Sequence, residues 1–175
     1  MIIALLAAIA FFIVSNAIVE YANRATMNWM QQPMSAYLAG VKLSWLQDAG
    51  FIALAAALPF IGYLFGGGYT IQALTLYVAA VALIGVIATK IVVTDLNVHR
   101  ASAGIAFSGV ELALLIHTWG HGLPFALTLA GPFVAFLLYR FAKADEADAL
   151  EEKAVAALQM AAFISILIPL LKDDG

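Results

Sequence analysis

The chain contains no cysteine. That excludes disulfides, thiolate-ligated zinc, iron–sulfur clusters, thiol nucleophiles and prenyl or palmitoyl anchors. It is also poor in charge. Asp, Glu, Lys and Arg make up 11% of its 175 residues, against about 25% in soluble domains. Positive charge is scarcest, with eight Lys and Arg against eleven Asp and Glu. No basic stripe is available to hold nucleic acid, so no nucleic-acid partner is expected.

What remains is apolar. Hydrophobic residues are 65% of the chain and the mean hydropathy is +1.00. No water-soluble core of this size could hide that much apolar surface. The expectation is an integral membrane protein with one transmembrane domain over 1–175. Six apolar runs cover roughly 2–21, 45–65, 70–93, 100–120, 123–141 and 153–171. Each is long enough to cross a hydrocarbon layer of about 30 Å as a helix. The expected fold is therefore an all-α bundle of six transmembrane helices. The first run precedes the first basic residue, Arg24. It lacks the positive flank of a secretory signal and reads as a retained helix. Gly66-Gly67-Gly68 and Gly120-His121-Gly122 mark tight turns, which predicts antiparallel hairpins for helices 2/3 and 4/5. The acidic stretch from Ala142 to Lys153 reads as a loop. Ala49, Ala53 and Ala57, with Gly50 beside them, form a small-residue face suited to close helix packing.

The basic residues orient the chain. Arg24, Lys42, Lys90, Arg100, Arg140, Lys143 and Lys153 lie in or beside the first, third and fifth loops, and only Lys172 lies on the other side. The excess of Lys and Arg on cytoplasmic loops then predicts an inner (plasma) membrane protein with odd loops in the cytoplasm and both termini outside. In the first loop, Met27, Met30, Met34, Tyr37 and Val41 recur every three or four residues. That pattern suits an amphipathic segment on the bilayer surface.

Three polar groupings stand out. Glu111 lies midway along the fourth apolar run, where a carboxylate costs about 2.5–3.5 kcal/mol on insertion scales. Gly104 and Thr118 lie seven residues to either side and Ser108 one turn away, so the four share a helix face that should point at other helices. Glu111 is expected to point into the bundle in its protonated form and to bond a polar group such as Thr75, Tyr77, Thr128, Gln159 or Ser165. It serves either as a structural carboxyl or as a proton- or ligand-contacting one. His117 and His121 form an HxxxH pair, a spacing that places two metal ligands on one helix face. His99 lies about 27 Å away along the same helix. One metal cannot use all three, so no cofactor, haem or metal is expected, and a metal on His117 and His121 is the minor alternative. The third grouping, at the charged end, comprises Asn16, Glu20, Ser35, Asp48, Thr94, Asp95, His99 and Arg100. Asp95 and His99 should form one network with the first loop. A Ser35–His99–Asp95 hydrolytic triad is conceivable there, but the sequence has no nucleophile elbow.

Some of these residues carry a family resemblance. Gln32-Pro33-Met34-Ser35 resembles the HPxS-type motif after the first helix of the DUF998 family of bacterial membrane proteins. Trp45-Leu46-Gln47-Asp48-Ala49-Gly50-Phe51 resembles the start of that family's second helix. Thr94-Asp95 followed by His99 is similar to its TD…H segment, and Ala149-Leu150-Glu151-Glu152-Lys153 to its charged turn before the last helix. Gln32 stands where the family has histidine, and Val93 where it has proline. The resemblance implies a six-helix bundle and no particular reaction.

The reading that follows is a non-enzymatic binding, transport or accessory protein. Its intramembrane polar pocket would serve lipid or a small amphipathic ligand. The alternatives are a subunit of a larger membrane complex, and a redox or metal-binding protein using the HxxxH pair.

Overall fold

The computed structural model describes residues 1–26, 41–68, 70–89, 96–141 and 144–173. They form six helices: α1 Ile2–Asn23, α2 Ser44–Leu64, α3 Ile71–Ala88, α4 Leu96–Thr118, α5 Gly122–Phe141 and α6 Ala144–Asp173. There is no strand among the described residues. Five helices are long and apolar enough to cross a membrane. The apolar stretch of α5 described in full, Gly122–Leu138, is shorter, and the whole helix has 20 residues, or about 30 Å. The chain is an all-α polytopic bundle.

Apolar side chains line both the core and the outer surface, as a bilayer solvent requires. Ile9, Phe51, Leu58, Ile61, Leu76, Leu114, Phe163 and Leu167 are fully buried. Phe60, Val81, Phe133 and Phe136 are more than half exposed. A water-soluble protein of this size would not tolerate that shell. Trp45 and Trp119 are exposed near helix ends, the level favoured by interfacial aromatics.

Glycine sets the closest approaches. A Cβ on Gly62 would stand 3.0 Å from Ala73 Cα on α3, and one on Gly109 would stand 3.2 Å from Ala79 Cβ. These contacts zip α2 to α3 and α3 to α4. Between α1 and α2 the close contact falls at Gly50 rather than along Ala49 and Ala53, which are only half-buried. The α2–α3 turn uses Gly66 and Gly67 at φ 144° and 87°, values that favour residues without a Cβ. Thr70 then caps α3 by accepting from Ala73 N at 3.3 Å, as a helix start prefers.

Two expectations about connections are corrected. The acidic stretch after α5 is not a loop over 142–153: α6 begins at Ala144, nine residues before the expected Lys153. Ala, Glu, Leu and Lys are strong helix formers, so the last helix extends below its apolar part as a charged overhang. The second correction concerns α4 and α5. Gly120 at φ 73° and Gly122 at φ 50° turn the chain between them, yet the two helices touch far less than α2 and α3 do. They splay, and α6 packs closely on α5 while also touching α4 and α1.

The ends of the helices agree on a common charged end. Lys153 Nζ, nine residues into α6, meets Glu20 Oε1 near the end of α1 at 2.9 Å. Asn23 receives Lys42 N at 3.0 Å and donates to Lys42 O at 2.9 Å, clamping the end of α1 to the approach to α2. Deeper between the same helices, Gln47 Nε2 donates to Asn16 Oδ1 at 2.9 Å. Asn16 in turn donates to Phe12 O at 2.8 Å.

Candidate functional site

The splay between α4 and α5 opens a cleft of about 730 Å³, with α6 as its third wall. Arg100, Glu151 and Glu152 stand at the charged end. Apolar walls come from Ala103, Phe107, Leu112, Leu115, Ala135 and Val155. Gly104, Ser108 and Glu111 line it along α4. Gly104, Ser108, Leu112 and Pro132 are exposed, so the cleft also opens sideways through the gap between α4 and α5.

Glu111 is the polar centre of this space. Gln159 Nε2 on α6 donates to Glu111 Oε2 at 3.0 Å and to Phe107 O at 2.9 Å. Gln159 is 1% exposed. Its amide thus cross-links α6 to α4 by two bonds. Glu111 Oε1 is buried with no hydrogen-bond partner. It faces α5 at Gly131, where a Cβ would stand 3.3 Å from it. Gly131 therefore makes room for the carboxyl.

Among the candidate partners, Gln159 is the one that reaches Glu111. Thr75 donates to Gln72 O, Thr128 to Pro124 O and Ser165 to Ala162 O. Short hydroxyls satisfy themselves on the preceding turn of their own helix; glutamine is long enough to cross. The same reason removes Thr118 from the site, since its hydroxyl donates to Leu114 O at 2.7 Å. The expected face through Gly104, Ser108, Glu111 and Thr118 is thus divided. Thr118 is buried, while Gly104 and Ser108 border the cleft and are exposed rather than covered by a neighbouring helix.

The third grouping is only partly described. Ser35 and Asp95 lie outside the described residues, as do the methionines of the first loop. His99 is buried beside Thr89, with Nδ1 3.0 Å from Thr89 Oγ1. Thr89 donates its hydroxyl proton to Val86 O at 2.9 Å. With the Thr89 proton on Val86 O, the bond to His99 runs from Nδ1–H to Oγ1. This ties α3 to α4 at the charged end. Glu20 is committed to Lys153, and Asp48 is half-buried on the first turns of α2. Sequence reasoning missed the Asn16–Gln47 and Asn23–Lys42 bonds, since only an i to i+31 or i+19 separation known in advance would pair them.

The HxxxH pair separates by environment. The His117 ring stacks on Phe65, centroids 3.7 Å apart and planes 2° off parallel. His121 is exposed past the end of α4. Among the described residues no group of three or more His, Cys, Asp or Glu side chains is placed to hold a metal ion.

No protein-family model, curated protein or solved structure matches the chain.

Proposed function

We propose that this is a non-enzymatic binding or transport protein of the bacterial inner membrane, which takes lipid or a small amphipathic molecule into the α4–α5–α6 cleft. The observation that carries the reading is the side opening between α4 and α5 leading to a single polar centre at Glu111 and Gln159. Ligand sites are mostly apolar concavities with a few convergent polar groups, and the cleft has that make-up. An opening through the helix wall lets a ligand pass from the bilayer without crossing water. Arg100 at the charged end suits an anionic or zwitterionic head, and Phe107, Leu112 and Leu115 suit its apolar body. Membership of the DUF998-type family belongs to the same proposal, on the motifs Trp45 to Phe51 and His99.

Ala135 on α5 and Gly104 on α4 both line the cleft. Ala135→Trp should fill it and reduce co-purifying ligand at least tenfold, read by native mass spectrometry of protein extracted from its own membrane. Wild-type protein without any bound lipid-sized mass, or equal occupancy in both proteins, would count against the reading. A stoichiometric partner protein in place of the ligand would favour the subunit alternative.

Orientation is testable because the chain has no cysteine. Ala25 and His121 are exposed at opposite ends. In whole cells an impermeant maleimide should label His121→Cys and leave Ala25→Cys unlabelled until the membrane is opened. The reverse pattern would invert the topology, placing the charged end outside.

A further inference from the structure

Besides its side opening between α4 and α5, the cleft reaches Glu111 from the charged end of the molecule and stops about one turn past it. Arg100 marks its mouth on α4, and Glu111 is eleven residues further along the helix, about 16 Å deeper. Leu115, one turn beyond Glu111, is the deepest α4 residue lining it. Past that level the bundle is closed. Leu114, Thr128, Phe163 and Leu167 are 0% exposed, and Thr118 is 2% exposed. The two threonines offer no onward relay, because each spends its proton on its own helix at Leu114 O or Pro124 O. Glu111 itself is held in place from α6 through Oε2, while Oε1 has no partner. A buried carboxyl oxygen without a partner calls for a proton or a water.

We infer that Glu111 is a proton-exchange site served by water from the charged end alone, the open half of a path across the membrane. This goes beyond ligand binding and does not require it. The proton passes between Glu111 and water in the cleft, with no other bond made or broken. Among the described residues, the other charged or titratable groups lining the cleft are Arg100 on α4 and Glu151 and Glu152 on α6. The described lining of α5, Pro132 and Ala135, contributes none. Intramembrane carboxyls that meet a wet cavity commonly belong to proton paths, and the seal beyond Leu115 gives this one a side.

The test is sidedness of water, read together with the carboxyl itself. Single-cysteine proteins carrying Ser108→Cys or Thr118→Cys are placed in oriented vesicles, with Ala25→Cys reporting the charged end. An impermeant methanethiosulfonate should modify the Ser108→Cys thiol at least tenfold faster from the charged end than from the other, and Thr118→Cys from neither. In infrared spectra a carboxyl C=O band should shift on exchange into D2O and be missing in Glu111→Gln. Equal modification of Ser108→Cys from both sides, no modification from either, or a spectrum unchanged by Glu111→Gln would overturn the proposal. A bound lipid-sized mass together with an unreactive Ser108→Cys thiol would retain the ligand reading and refute this one. Sided modification with no bound lipid would do the reverse.

Discussion

Glu111→Leu should destabilise the bundle by about 1–3 kcal/mol, because it leaves one N–H of the buried Gln159 amide without an acceptor. Glu111→Gln should fold with stability close to wild type, since its amide oxygen can still accept from Gln159 Nε2. Gln keeps the acceptor and the length of the side chain, whereas Leu removes the acceptor and is one atom shorter. Gln159 is 1% exposed and makes two bonds to α4, at Phe107 O and Glu111 Oε2. Its remaining bond to Phe107 limits the loss to one contact. In Glu111→Leu/Gln159→Leu both polar partners are gone, so the double variant should be more stable than the sum of the two single losses predicts. Reversible unfolding in mild detergent or bicelles measures the wild type, the three single variants and the double variant. An additive double variant, or a Glu111→Gln protein as unstable as Glu111→Leu, would show that the Gln159 bond does not hold α6 to α4.

Where the sequence was legible, its signals were local. Apolar runs of bilayer length located all six helices, and the triple glycine marked the α2–α3 turn. Glu111 was visible because one carboxyl in an apolar run costs energy that some partner must offset. Gln159 was among several candidate partners, and the choice between them depended on reach. Thr75, Thr128 and Ser165 can turn back to their own helices, whereas a glutamine side chain can span the gap between two. What could not be read was how the helices stand against one another. The glycines between α4 and α5 predict a turn in the chain but not the angle at which it leaves. That angle makes the cleft, and it decides that Gly104 and Ser108 border open space instead of a neighbouring helix. The charged start of α6 was misread because its charges suggested a loop, while its Ala, Glu, Leu and Lys content favours continued helix.

The largest packing effect should come from Gly50. A Cβ placed there falls on Ser15 Oγ and lies 3.3 Å from Phe12 Cα on α1. The hydroxyl can rotate away, but the backbone of α1 can yield only by moving the whole helix. Gly50→Ala should therefore cost about 1–3 kcal/mol, as overpacking in filled cores does, despite the better helix propensity of alanine. The same displacement would stretch the Gln47–Asn16 bond three residues away, now 2.9 Å, and so weaken a side-chain hydrogen bond that joins α1 and α2 below the Asn23 clamp. Ser15→Ala alone should be nearly neutral, because its hydroxyl bonds only Phe12 O on its own helix, at 3.0 Å. Combining the two removes the atom that collides and leaves the tight contacts with the Cβ of residue 15 at 3.2 Å and with Phe12 Cα at 3.3 Å. Ser15→Ala/Gly50→Ala should then recover a measurable part of the loss, with a favourable coupling of about 0.5 kcal/mol or more. Full additivity of the two variants would mean that α1 and α2 do not meet at Ser15 and Gly50.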